Sequence, residues 1–221
     1  MERRPEPELM IEPAQVRAYA ETDFSESDEC FVRAIARHIP PVPGGCMIDL
    51  GCGPGNMCLR LALLRPMEEW IGMDGSVGML EVAKKRGRTL ANLRFVHAVM
   101  PTEAFSTTRF DGIVSNSLLH HLRDPQVLWA FIKERGKPGA RVFIGDLRRP
   151  DHEGEIAHLT SLYLKDADPI VRDDFQASLR AAYREEEVEA QLERAGLDDF
   201  TVERFSDRHL VVRGIVPKRV H

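Results

Sequence analysis

No run of apolar residues in this sequence approaches the roughly 18 needed to cross a bilayer, so no membrane-spanning helix is expected. Basic charge is not in excess either. Thirty Lys and Arg stand against 35 Asp and Glu, a formal net charge of −5, whereas a nucleic-acid surface normally shows as the opposite balance. The local basic clusters, Arg148-Arg149 and Lys84-Lys85-Arg86 with Arg88, read as solvated faces. Cysteine is scarce. Cys30, Cys46, Cys52 and Cys58 form no CxxC and have no histidine at metal-ligand spacing, so no metal site is expected, and reduced thiols in the cytoplasm are. The opening MERRPEPELMIEP has no apolar run behind Arg3 and Arg4, which does not fit a secretory signal. Repeats and low-complexity tracts are missing too. What is there, 43% hydrophobic and 29% charged residues over 221 positions, suits a single globular domain.

Along the chain, residues 1–12 read as a flexible tail, followed by an amphipathic segment from Pro13 to Glu21. A second begins at Ser25, with Asp28 three positions on in the pattern of a capping box, and stops at Pro40-Pro41. Cys46–Leu50 is a short apolar run between glycines, the pattern of a buried parallel strand. Helix and strand then alternate: a helix over 56–64, a strand over 69–73, a helix over 76–87, and strands over 93–98 and 111–115. Asp124-Pro125 predicts a helix start, and Lys137-Pro138-Gly139 a turn into a strand over 140–145. This rhythm predicts right-handed βαβ units in an open parallel sheet with helices on both faces. Residues 151–183 read as helical with no strand between them. A helix over 185–195 closes at Gly196, and strands over 200–205 and 209–216 are too close in sequence to pair other than as an antiparallel hairpin.

The informative segment is Asp49-Leu50-Gly51-Cys52-Gly53-Pro54-Gly55-Asn56, at the end of the first strand. Glycines here let the chain turn sharply and let a ligand approach with no Cβ in the way. A dinucleotide would need G-x-G-x-x-G to seat its pyrophosphate on a helix N-terminus. Here Gly55 comes one position early, and Asp49 would repel a phosphate. An ammonium-bearing ligand would welcome that carboxylate. Asp74, at the tip of the second strand, stands where a carboxylate accepts the two hydroxyls of a ribose. A nucleoside with a cationic amino-acid tail and no phosphate satisfies Asp49, Asp74 and the glycines together.

Four motifs in order, D-L-G-C-G-P-G, G-M-D-G-S-x-x-M-L, F-D-G-I-V-S-N-S-L-L-H-H-L and K-P-G-A-R-V-F-I-G-D, resemble those of class I S-adenosylmethionine-dependent methyltransferases. The nearest group is the one typified by ubiquinone and menaquinone biosynthesis, and the match covers residues 44–147. The resemblance implies a doubly wound, Rossmann-like α/β fold, with a seven-stranded, mostly parallel sheet, a C-terminal antiparallel hairpin and a helical insert. It divides the chain into lid helices (1–40), cofactor core (44–147), acceptor-side insert (148–183) and final helix and hairpin (184–216). It implies S-adenosylmethionine as cofactor. Gly51, Cys52, Gly53 and Gly55 would pass the methionine moiety, with Asp49 near its amino group. Asp74 would hold the ribose, with Met73, Gly75 and Met79 along the adenosine. Ala98, Val99 and Met100 would flank adenine, and Asn116 would lie by the methionine end. Val99 replaces an aspartate common among relatives, so adenine contacts would come from the backbone.

Methyl transfer from a sulfonium is an in-line displacement that positioning can drive, and a base is needed only if the acceptor must lose a proton. His120 and His121 beyond the fourth strand, and Asp146 ending the fifth, are the candidates, set against a structural role for each. The insert offers Arg148, Arg149, His152, His158 and Tyr163 to an acceptor, with helix packing as the alternative. The function implied is methylation of a small molecule at carbon, oxygen or nitrogen. Other chemistry on the same fold, methylation of a macromolecule, and non-catalytic binding of S-adenosylmethionine or S-adenosylhomocysteine remain open, as do the acceptor and the oligomeric state.

Overall fold

The computed structural model describes residues 1–7 and 9–218. One seven-stranded sheet runs in the order β3-β2-β1-β4-β5-β7-β6. Its strands are β1 (Cys46–Leu50), β2 (Glu69–Asp74), β3 (Leu93–His97), β4 (Phe110–Asn116), β5 (Gly136–Leu147), β6 (Thr201–Arg204) and β7 (His209–Ile215). The first five are mutually parallel; β7 pairs antiparallel to β5 and to β6. The order reverses between β1 and β4. At such a switch point the connections leave to opposite faces, and a crevice opens at the strands' carboxyl ends.

Side-chain alternation along the strands builds two cores. Met47, Val114, Phe143 and Val211 face one side, where α2 (Ser25–His38) and α3 (Asn56–Leu64) bring Phe31, Ile35, Met57 and Leu61. Ile48, Leu50, Ile113, Val142, Ile144, Leu210 and Val212 face the other. There α5 (Gln126–Arg135) supplies Leu128, Trp129 and Ile132, and α8 (Glu185–Ala195) supplies Val188 and Leu192. Burying strands on both faces is what a largely apolar run such as Cys46–Leu50 requires. The remaining helices are α1 (Pro13–Glu21), α4 (Val77–Gly87), α6 (Glu153–Tyr163) and α7 (Pro169–Ala181), with a 3-10 turn over Leu119–His121. Among the described residues, no helix is long and apolar enough to cross a membrane.

Two local expectations are corrected. Ser25 does not cap α2: Asp23 accepts the Ser25 N–H at 2.9 Å, and Asp28 turns inward to Arg60 at 3.3 Å instead of completing a capping box. Residues 1–7 do not trail away. The Arg3 guanidinium donates to the carbonyls of Ala181, His120 and Leu122 and stacks over the Tyr183 ring, while the Arg4 N–H donates to the Arg180 carbonyl. Carbonyls at the end of a helix have no partner within it, and an arginine fork is suited to satisfy several at once.

Candidate functional site

The crevice at the switch point is a cavity of about 480 Å³. Its cofactor end is built by the β1–α3 turn. Gly51 and Gly53 have φ of +68° and +52°, backbone that L side chains rarely adopt. A Cβ on Gly51 would stand 2.8 Å from Leu118, whereas one on Gly53 would meet nothing within 4 Å and would fill open cavity instead. Asp74 locks this turn to the tip of β2: its carboxylate accepts from the Gly53 N–H at 2.8 Å and the Ser76 N–H at 2.7 Å. Ser76 in turn caps α4 by accepting from the Met79 N–H.

Asp49 is 1% exposed, and its Oδ2 has no hydrogen-bond partner. Burial, aided by the nearby Asp74 carboxylate, pushes its pKa up to about 8, and burial raises that of Asp74 as well. Asn116, on the same cavity, also has its Oδ1 buried without a partner. A buried acceptor without a donor costs on the order of 1–3 kcal/mol, so two of them on residues that line one cavity suit a donor-bearing, cationic ligand. Asp28, pushed to about 6 by burial, lies on the same wall.

At the other end, Asp146 is buried behind His120. Its Oδ1 meets the His120 Nδ1 at 2.5 Å, and its carboxylate accepts the N–H groups of Leu119 and Leu147. The imidazole is thereby fixed with Nε2 outward. That nitrogen lies 3.4 Å from the Glu6 carboxylate, which also reaches His121 Nδ1 at 3.2 Å and accepts from the Ser178 hydroxyl at 3.0 Å. Burial works against a charged His120, but Asp146 and Glu6 outweigh it and raise its pKa. Burial, with His120 beside it, drives the pKa of His121 down to about 3 and keeps it neutral.

Asp49, Gly51, Cys52, Gly53, Met73, Asp74, Gly75, Met79, Ala98, Val99, Met100, Asn116, His120 and His121 line this one cavity. Gly55 does not: at φ +89° it turns the chain into α3 against Leu59 and Ala83. Asp146 reaches the cavity only through His120. Of the five polar side chains expected of the insert, Tyr163 lines the cavity, stacked against Arg208 and bonded to Asp207. Arg148 and Arg149 instead bind Glu185 and Glu187, His152 caps α6, and His158 is exposed. Sequence reasoning missed Glu6, which reaches both histidines, and the α7 residues Val171, Asp174, Phe175 and Ser178, which line the cavity. It also missed Ser117, whose φ of +60° turns the chain out of β4. Only the apolar spacing of Val171, Phe175 and Leu179 along α7 was a usable signal, and it did not distinguish a cavity wall from a core face.

Comparison with known proteins gives the same frame. The chain is 31% identical over 121 residues to an uncharacterized methyltransferase of Mycobacterium tuberculosis, covering 55% of this chain and 60% of that protein. It is 32% identical over 129 residues to a trans-aconitate 2-methyltransferase of Deinococcus radiodurans, covering 58% and 48%. The match thus spans 60% and 48% of the length of these curated relatives, less than two thirds of each. A crystal structure of the plantazolicin methyltransferase BpumL, in complex with a triazolic desmethylPZN analog and SAH, superposes with a TM-score of 0.71 at 16% identity, covering 93% of this chain and 91% of that one. Residues 42–196 match the family model described as a methyltransferase domain. The chain belongs to the methyltransferase-domain family.

Proposed function

We propose that this chain transfers the methyl group of S-adenosylmethionine to a small-molecule acceptor. The observation that carries the reading is the buried Asp49 carboxyl, with one unpartnered oxygen, beside Asp74 in a glycine-walled cavity. A ligand with an ammonium group and a ribose satisfies both acids; a pyrophosphate satisfies neither. Asp74 keeps free lone pairs for ribose hydroxyls while its other contacts hold the turn. Gly51, Cys52 and Gly53 face the methionine moiety, Met73, Gly75 and Met79 the adenosine, Ala98, Val99 and Met100 the adenine, and Asn116 the amino-acid end. The family membership and the SAH bound to BpumL support this cofactor.

The acceptor in this reading occupies the space between the cofactor and the wall made by His120, His121, Tyr163 and α7, with Asp146 positioning His120. Residues 148–183 then form the acceptor-side insert, 1–40 the cover, 44–147 the cofactor core and 184–216 the closing helix and hairpin. Holding nucleophile and methyl in line can supply ~7–11 kcal/mol of barrier reduction. The trans-aconitate methyltransferase among the relatives supports a small-molecule acceptor. The cytoplasm is the compartment assumed, because Cys52 and Cys58 are within hydrogen-bonding reach as free thiols. The test is formation of S-adenosylhomocysteine with a cell extract split by ultrafiltration. Turnover with the small-molecule fraction is expected; turnover confined to the macromolecular fraction would overturn the acceptor class.

A further inference from the structure

His120 and His121 are sequence neighbours whose ring centroids lie 4.2 Å apart on the 3-10 turn. Across 114 residues of chain, Glu6 brings a carboxylate to both. One donor atom from each of the three lies within 4.8 Å of the other two. Their side chains are 2%, 14% and 10% exposed for His120, His121 and Glu6, so this is no solvated surface cluster. We propose that Glu6, His120 and His121 form a binding site for a divalent transition metal ion of the zinc type, with open coordination positions that face the acceptor end of the cavity.

Three features carry the assignment. The donor set is two imidazole nitrogens and one carboxylate oxygen, which suits Zn²⁺ and its first-row neighbours. Mg²⁺ and Ca²⁺ prefer all-oxygen sets. The supporting bonds are those that orient metal ligands. His120 gives Nδ1 to a buried carboxylate, Asp146, which is itself held by two backbone N–H groups, so Nε2 is aimed outward. Ser178 donates to the Glu6 Oε1, the same oxygen that faces both histidines. The third feature is charge. Glu6 and Asp146 put two carboxylates on either side of one imidazole, and a bound dication balances both. His121 Nδ1 also lies 3.4 Å from the Pro7 carbonyl, at the edge of hydrogen-bonding range, and a metal bond at that nitrogen would replace this contact.

A three-ligand site leaves room for an exogenous oxygen, as catalytic zinc sites do. Because His120 and His121 line the cavity and the cofactor cradle lies at its other end, that oxygen would be the acceptor's. The acceptor class this implies is a molecule carrying a hydroxyl or carboxylate that can bind a metal. This last step rests on the methyl-transfer reading; the metal site itself does not.

The probe is Co²⁺ added to the full chain after chelator treatment, read by visible d–d absorption, with Zn²⁺ as competitor in calorimetry. One equivalent should bind, with the intense spectrum of a low-coordinate nitrogen–oxygen site, and Zn²⁺ should displace it. Glu6→Gln and His121→Asn should each weaken cobalt binding at least about tenfold, since loss of a supporting partner alone commonly costs that much. Binding of S-adenosylhomocysteine, measured on the same samples, reports folding and the cofactor end separately. A chain that binds S-adenosylhomocysteine but no cobalt would overturn the metal site and leave the methyl-transfer reading standing. Cobalt binding unchanged in both variants would overturn it as well, by putting the metal elsewhere. If the variants lose S-adenosylhomocysteine binding too, the wild-type titration still decides: no stoichiometric cobalt, no site.

Discussion

The two ends of the cavity are made differently. At the cofactor end, Asp49, Gly51, Gly53 and Asp74 come from two adjacent strand tips and the turn between them, within 26 residues of sequence. At the acceptor end, Glu6, His120, Asp146 and Ser178 come from the N-terminal segment, the turn after β4, the tip of β5 and α7, and meet only through the fold. The first end is a local motif in which one oxygen of Asp49 is left without a partner. The second is a long-range assembly whose polar groups already satisfy one another. A local motif of this kind can serve many acceptors, whereas an assembled wall can change with each.

If that contrast is right, substitutions at the cofactor end should act on cofactor affinity, and those at the acceptor end should not. Asp74→Ala should have the largest effect, weakening S-adenosylhomocysteine by ~2–4 kcal/mol, because the ribose hydroxyls lose their acceptor and Gly53 its tie. Calorimetry on a chain with an unaltered circular dichroism spectrum checks this. Asp49→Asn should weaken the same ligand by ~1.5–3 kcal/mol, the range of a charge-assisted hydrogen bond. It should also raise the melting temperature of the ligand-free protein above that of wild type at pH 8, since a buried, unpartnered acid is removed. A variant that loses both affinity and stability would contradict the account.

The pH dependence follows from Asp49. Its pKa in the ligand-free fold, about 8, exceeds the ordinary carboxylate value of 3.8, so the native state keeps a proton that the unfolded chain gives up. Asp49 therefore makes ligand-free stability fall as pH rises from about 4 to 8. An ammonium ligand favours the ionised form, so affinity should rise with pH across the upper part of that window, by at most about tenfold per unit, and level off above 8. Isothermal titration from pH 6 to 9 would reveal a flat profile if Asp49 were not the partner. Smallest is Ser178→Ala at the acceptor end. It should cost ~0.5–1.5 kcal/mol of stability through the lost bond to Glu6 and leave the S-adenosylhomocysteine dissociation constant within about twofold. A larger shift in binding would mean that the two ends are not separable.

The same contrast explains what the sequence made legible. The β1 run, the glycine turn, Asp74 and the hairpin are written in contiguous residues, and each lies where its pattern implies. Helix α8 was legible to the residue, because Glu185–Glu187 stabilise its start and Gly196, at φ +62°, ends it. Glu6 was illegible: nothing in a proline-rich, charged opening says that one of its acids will cross to a histidine 114 positions away. Arg148 and Arg149 misled for the converse reason. Their pairing with Glu185 and Glu187 is set by the parallel bridge of Arg148 to Tyr183, which no local pattern encodes.

The central claim is that an unpaired, protonated Asp49 awaits the ammonium group of a nucleoside cofactor. Calorimetric titration with S-adenosylhomocysteine at pH 7, repeated in two buffers of different ionisation enthalpy, tests it most directly, with NAD titrated in parallel. The account predicts binding of S-adenosylhomocysteine with release of close to one proton per site, no release in Asp49→Asn, and no heat with NAD. Binding of NAD, or binding of S-adenosylhomocysteine with no proton released at pH 7, would contradict it.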